Sequence, residues 1–340
     1  MFNKQIKIPD PEEILDKMPL PENLKKIKAE RDRQVTDVIT GKSDKLLMIV
    51  GPCSAHEQKP VLDYVERLGK LNEKVKDKIV LVPRIYTNKP RTRGVGYKGM
   101  FSQPDPHKSE DILKGIYAIR ELNIKAIEVS GLSAADEMLY PANIHYVGDL
   151  LSYNAVGARS CENQLHRLVA SGIDVPVGVK NPTSGSILTL LNSIYAAQSA
   201  QVFKLNGWQV KTDGNDLAHA ILRGATDFYG NDTPNYHYES VMQLAEAYAK
   251  SGLKNPAVII DCNHSNSGKK FLEQVRIADE VMRNRSYSAD FKKIVKGFMV
   301  ESFIEEGCQK EDIIYGKSIT DPCLGWKDTE KLILAIAEKV

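Results

Sequence analysis

Eight short apolar runs recur along the chain with amphipathic stretches between them, and this alternation limits the fold more than any other feature. The runs begin at Leu46 (LLMIVGPCS), Ile79 (IVLVPRIY), Ile124 (IKAIEVSG), Ala155 (AVGARS), Val175 (VPVGVKN), Ala220 (AILRGA), Ala257 (AVIIDCNH) and Ile294 (IVKGFMVES). Leu46 to Val50 is apolar without alternation, the pattern of a strand covered on both faces and so of a parallel sheet. Gly51 and Pro52 end it. Between the runs lie helical patterns starting at Ser109, Asn163, Ser186 and Tyr238, several closed by Gly or Asn as helix ends prefer.

Eight such units predict an α/β fold, a (β/α)8 TIM barrel, in preference to an open doubly wound sheet. One segment interrupts the count: QVFKLNGWQVKTDG, about residues 201–214, reads as two strands around Asn206-Gly207, a β-hairpin inserted before the sixth barrel strand. The expected organisation is an N-terminal arm over 1–43 and a barrel over 44–340, with an amphipathic helix from Asp328 closing the ring. The arm is charged and proline-punctuated with a thin apolar stripe; composition leaves open a solvated extension or a segment that packs on another subunit.

With 340 residues and 42% hydrophobic content the chain can bury a large core, yet it has no uninterrupted apolar run of membrane-spanning length. Its start, MFNKQIKIPDPEE, lacks the apolar stretch of a secretory signal, so a cytoplasmic setting is expected. A formal charge of +2, from 46 basic and 44 acidic residues, points to no nucleic-acid and no membrane partner. The cysteines at 53, 161, 262, 308 and 323 are odd in number and form no CxxC pair, which argues against a disulfide framework or a zinc ribbon.

Charge is scarce inside the apolar runs, but their carboxyl ends repeatedly carry it: Arg84, Arg159, Lys180, Arg223, His264 and Glu301. A barrel gathers those ends on one face, where barrel enzymes place their chemistry. Any one of these residues alone reads as a solvated stem; six together do not. The loop after the second run adds Lys89, Arg91, Arg93 and Lys98, and so much converging positive charge calls for an anion, with phosphate the natural guest of guanidinium forks and ammonium groups. A second set, Cys53, His264, Glu301 and Asp321, has the residue types that hold a borderline divalent metal. Its spacing carries no signature, and each member has a bland reading as a core thiol, a structural imidazole, a cap or a turn residue.

GPCS at 51–54, KPRT at 89–92, GAR at 157–159, VGVKN at 177–181, ILRG at 221–224, IIDCNHSNS at 259–267, MVES at 299–302 and GKSITDPCLGW at 316–326 together resemble the 3-deoxy-D-arabino-heptulosonate 7-phosphate (DAHP) synthases, in the group with an N-terminal extension and an inserted ribbon. The resemblance implies condensation of phosphoenolpyruvate with erythrose 4-phosphate, the first step toward aromatic amino acids. It implies one divalent ion, Mn, Fe, Co or Zn, on Cys53, His264, Glu301 and Asp321. Phosphoenolpyruvate would lie on Arg84, Lys89, Arg159, Lys180 and Arg223, and erythrose 4-phosphate on Pro90, Arg91 and Thr92. Lys89 and His264 would be catalytic, with Lys89 expected to have a lowered pKa among other cations. An aromatic amino acid effector and a homodimer or homotetramer are further implications.

The chain departs from the family pattern over Val129 to Leu139, where Asp136-Glu137-Met138 stands for Gly-Glu-Phe and keeps the carboxylate at Glu137. Three rivals remain at this point: a Schiff-base aldolase with Lys180 as nucleophile, a 3-deoxy-manno-octulosonate 8-phosphate synthase, against which KPRT speaks, and a non-catalytic sugar-phosphate sensor.

Overall fold

The computed structural model describes residues 1–91, 94–311 and 314–340. Eight parallel barrel strands carry it: β1 Leu46–Gly51, β2 Ile79–Pro83, β3 Ala134–Glu137, β4 Leu151–Val156, β5 Val177–Lys180, β6 His219–Leu222, β7 Val258–Asp261 and β8 Val295–Glu301. They run in the order β2-β1-β8-β7-β6-β5-β4-β3. A parallel bridge between Arg84 and Ala135, with the Ile85 amide donating to the Ala135 carbonyl at 2.9 Å, brings the two outer strands together and closes the barrel.

The continuous apolar runs follow from burial on two faces. Leu47, Ile49, Val80, Val82, Ile221, Ile259 and Met299 fill the barrel interior, while their neighbours Leu46, Met48, Val50, Leu81 and Ile260 face the surrounding helices. Helix Trp326–Lys339 completes the ring against helices Gln58–Val75 and Glu273–Tyr287. Among the described residues no helix is long and apolar enough to cross a membrane.

The arm packs on this chain's own barrel. Its thin stripe is fully used: Val35, Val38 and Ile39 of helix Glu22–Ile39 belong to the same buried cluster as the barrel interior and seal its amino-terminal end. Arg120, wholly buried, ties the arm down further by donating to the Met18 carbonyl at 2.7 Å and pairing with Asp149 at 2.7 Å.

Two strand expectations are corrected. The run from Ile124 is the last part of helix Ile112–Ser130, and the third strand is Ala134–Glu137. Its β-branched residues mimic a strand, but Ala126 and Ile127 are buried at helical spacing, and Gly131 in the left-handed region ends the helix at φ 64°. The fourth strand begins at Leu151 and only reaches Ala155 and Val156 at its end. Its polar positions hid it, because Ser152 donates to the Asp32 carboxylate on the arm at 2.6 Å. The inserted hairpin pairs Gln201–Leu205 with Trp208–Thr212, and Asn206 and Gly207 at φ 48° and 86° give the left-handed pair that a two-residue turn requires.

Inside the barrel His219 is fully buried between the Tyr153 hydroxyl, 2.8 Å from Nε2, and the Leu217 carbonyl, 2.8 Å from Nδ1. The carbonyl can only accept, so Nδ1 carries the proton and Nε2 accepts from Tyr153. Burial pushes the imidazole pKa down to about 4. The unfolded chain therefore binds a proton that the folded one refuses, and stability is lost as pH falls from about 6.5 toward the folded value. Between pH 7 and 5 this one group should remove about 2 kcal/mol. In urea unfolding the change in stability from pH 7 to pH 5 should be about 2 kcal/mol less favourable for the wild type than for His219→Gln; equal changes would refute it.

Candidate active site

The carboxyl ends of the strands open into a cavity of about 380 Å³. Of the sequence-predicted site residues, Arg84, Lys89, Pro90, Arg91, Arg159, Lys180, Arg223, His264 and Asp321 line it. Cys53 and Glu301 form its floor through contacts with Lys89, Asp321 and Arg84. Thr92 and Arg93 lie outside the described residues. Lys98 does not belong to the cavity; it pairs with Glu110 at the surface, 2.5 Å away.

The GPCS sequence has a steric origin. Gly51 ends β1 against the backbone of Arg84, and a Cβ there would fall 2.3 Å from the Arg84 carbonyl oxygen. Only glycine allows that approach, which delivers Cys53 to the barrel mouth. At the far side, Gly224 (φ 80°) lies against the His264 helix, where a Cβ would meet the Asn266 amide nitrogen at 2.6 Å.

Cys53, Glu301 and Asp321 come from three distant parts of the chain, yet their ligand atoms lie within 4.8 Å of one another. His264 stands beside them, its Nε2 3.9 Å from Glu301 Oε1. Nδ1 of the same ring is 2.9 Å from Asp261 Oδ2, an arrangement that aims the other nitrogen at the cluster. The set fits a divalent ion on chemical grounds, one soft and two hard donors with an imidazole adjoining. The Lys89 ammonium already acts as a stand-in cation, with Nζ 2.6 Å from Cys53 Sγ and 3.4 Å from Asp321 Oδ2.

Electrostatics follow from this mixture. Burial opposes the Lys89 charge, but Cys53, Asp321 and Glu301 outweigh it and the pKa is raised, which corrects the expected lowering: the nearest neighbours of Lys89 are anionic. Burial and the Glu301 charge push the Cys53 thiol up. Burial disfavours ionised Glu301 and Asp321 as well, but the cations around each, Arg84 foremost for Glu301 and Lys89 for Asp321, hold both below the usual carboxylate range. Arg84 is 2% exposed, donates to Glu301 at 2.9 Å and stacks 3.6 Å from the Tyr86 ring centre.

Lys180 pairs with Asp261 at 3.1 Å. Asp261 is thus a site residue that the sequence reading passed over, although it ends an apolar strand as the chosen cations do. Lys269, which pairs with Asp321 at 3.2 Å, had no such signal. Among the described residues that line the cavity, two buried guanidinium donors have no partner, Nε of Arg84 and Nη1 of Arg223. Orphaned cationic donors facing a cavity mark an anion site.

Fold and site together define a barrel enzyme with a cationic pocket set against a thiol and carboxylate cluster. Residues 22–334 match the DAHP synthetase I family, and the chain belongs to that family. It is 39% identical over 317 residues to the Trp-sensitive phospho-2-dehydro-3-deoxyheptonate aldolase of Enterobacter agglomerans, covering 91% of this chain and 88% of that one. It is 38% identical to the Phe-sensitive enzyme of Escherichia coli K12 over 340 residues, 97% and 93% of the two chains. The solved structure of the Francisella tularensis phospho-2-dehydro-3-deoxyheptonate aldolase superposes with a TM-score of 0.92 at 29% identity, over 100% and 98% of the two chains.

The Gly51 contact is directly testable. Gly51→Ala should cost about 1–3 kcal/mol through displacement of β1 from β2, read as a lower urea midpoint. An unchanged midpoint would mean that the close approach carries no constraint.

Proposed function

We propose that this protein condenses phosphoenolpyruvate with D-erythrose 4-phosphate and water to give DAHP and phosphate, using a divalent metal ion held by Cys53, His264, Glu301 and Asp321. The observation that carries the reading is the adjacency of two opposite sites: a pocket with unpaired guanidinium donors and a cluster of thiol and carboxylates, with Lys89 between them.

Phosphoenolpyruvate bears a carboxylate and a phosphate, and Arg84, Lys89, Arg159, Lys180 and Arg223 offer both sets of partners from one wall. Pro90 and Arg91 sit at the mouth for the second phosphate, with Arg91 braced by donating from Nε to the Tyr97 carbonyl at 2.7 Å. Holding C3 of phosphoenolpyruvate against the aldehyde carbon removes much of the entropic barrier. The bound ion supplies Lewis acidity toward a substrate oxygen. Lys89, whose ammonium stands between the cluster and the pocket, is placed to give a proton to the developing alkoxide. Water then adds at C2 and phosphate departs.

Regulation by an aromatic amino acid is part of the same reading. The Ser171 and Thr212 hydroxyls, 2.6 Å apart, join the ribbon to the end of helix Gln164–Ala170. A cavity of about 450 Å³ beside Gly172 is lined by Asp174, by the Lys28–Asp32 ion pair and by Asp149, which Arg120 holds, so it presents charges of both signs to an amino acid. A homodimer or homotetramer is expected as well.

Phosphate release from the two substrates should require both, stop on chelation and return with added metal. Cys53→Ala should lower turnover more than about a hundredfold, and at least one of Phe, Tyr and Trp should inhibit. Turnover by chelated Cys53→Ala protein at the wild-type rate would overturn the ligand assignment, while no phosphate release under any condition would overturn the reaction.

A further inference from the structure

A second cationic cavity, of about 490 Å³, lies at the opposite, amino-terminal end of the barrel. Its walls are the end of the arm from Ile39 to Lys45, the residues before β7, and the segment running from Arg285 to Lys296 into β8. Arg285, Lys292, Lys293 and Lys296 face it, against the single carboxylate of Asp44. None of these four cations has an ion pair among the described residues, whereas Arg276, Arg283 and Lys339, on or beside the same helix, each have a carboxylate partner. Arg285 is 7% exposed, yet only its Nη1 is engaged, donating to the carbonyls of Lys292 and Val295; Nε and Nη2 donate to no described group.

Burying a guanidinium without a counter-charge is costly. Burial alone pushes the Arg285 pKa down to about 10 against the weak help of Asp44, and burial with the adjoining Arg285 and Lys293 lowers that of Lys296. Lys296 folds over the turn that follows the arm helix, with Nζ 3.4 Å from where a Cβ on Gly41 would stand. A fork of free donors with ammonium groups around it matches a tetrahedral dianion better than a lone carboxylate.

We propose that this cavity is a second anion site, separate from the catalytic mouth, that takes a phosphate group, free or esterified, and by bridging Arg285 and Lys296 fastens the end of the arm to the barrel floor.

The test uses inorganic phosphate and glycerol 3-phosphate, each against sodium chloride of equal ionic strength. Either ligand at ten times its dissociation constant should raise the unfolding temperature by about 2 °C and protect the amides of residues 39–45 and 289–296 from hydrogen exchange. Lys293→Met/Lys296→Met changes two side chains outside the core and should abolish the protection of these amides and reduce the unfolding shift to the part that the mouth supplies, while phosphate release from the substrates stays within about twofold of wild type. Arg223→Ala, in the mouth, should leave the protection at the barrel floor intact. A lower dissociation constant for glycerol 3-phosphate than for inorganic phosphate assigns the site to an esterified ligand, and one that is no lower assigns it to free phosphate. If the double variant keeps the full shift and protection, or if chloride reproduces them, the cavity is a solvated basic surface and the proposal fails.

Discussion

The buried carboxylate of Glu301 is the interaction on which the rest of the mouth depends. It closes β8 with 1% of its surface exposed, and an ion so placed is tolerable only with partners on every side. Arg84 from the end of β2 takes one oxygen at 2.9 Å, and Asn263, just past β7, donates to the other at 2.6 Å. Its backbone is clamped by Gln274, whose side chain both accepts from the Glu301 amide at 2.8 Å and donates to its carbonyl at 2.9 Å. Three strands and one helix are thereby held in register by a single charge. Since the Arg84 backbone in turn meets Gly51, the position of Cys53 follows from the same pairing.

The two halves of the mouth differ in what their charged groups have left to bind. On the cavity side, Arg84 and Arg223 retain unpaired donors, and Arg159 is exposed. On the cluster side, Glu301 and Asp321 are matched by Arg84, Lys89 and Lys269, and Lys89 also reaches the Cys53 sulfur. An anionic substrate suits the first half, and the donor types of the second suit a cation in place of the lysines. Asp261 couples the halves, since one carboxylate oxygen faces both Lys180 of the pocket and His264 beside the cluster. Burial of Asp261 disfavours its charge, but His264 and Lys180 more than offset this and keep it ionised, so the acid serves both sites without titrating in the ordinary range.

How much of this could be read from the sequence depended on what kind of burial each segment has. Strands covered on both faces, such as Leu46–Gly51 and Val258–Asp261, announce themselves as unbroken apolar runs. β3 does not: its four residues are Ala-Ala-Asp-Glu, and its polar half is stabilised by contacts with another loop. The preceding helix end, rich in Ile and Val, took its place in the reading. Charged residues at strand ends were legible because a barrel gathers them, and the pocket cations Arg84, Arg159, Lys180 and Arg223 were found that way. His264 adopts a positive φ of 52°, a backbone setting that no local sequence rule for histidine suggests, and the approach of Cys53 to Asp321 is a consequence of closure alone. The ligand set was therefore readable only as a group of suitable residue types, to which resemblance gave a role, and its geometry came from the fold.

Asp136 shows how a buried carboxyl at the end of β3 is accommodated. Asp136 is 4% exposed and accepts from the Thr87 amide at 2.9 Å, from the Thr87 hydroxyl, and from the Glu137 amide at 2.7 Å. Burial pushes its pKa up to about 7, the hydrogen bonds from Thr87 acting in the opposite sense. A buried carboxyl without partners would be costly in β3, and Thr87 supplies two of them from the chain that leaves β2. The same Thr87 stands two residues before Lys89, so the Asp136 carboxyl fixes the root of the loop that carries the lysine. Glu137 beside it lies on the cavity wall, packed so closely on Gly157 that a Cβ there would meet its carboxylate at 2.3 Å. The end of β3 thus holds the positions that the pocket requires through a hydrogen-bonded pair, Asp136 with Thr87.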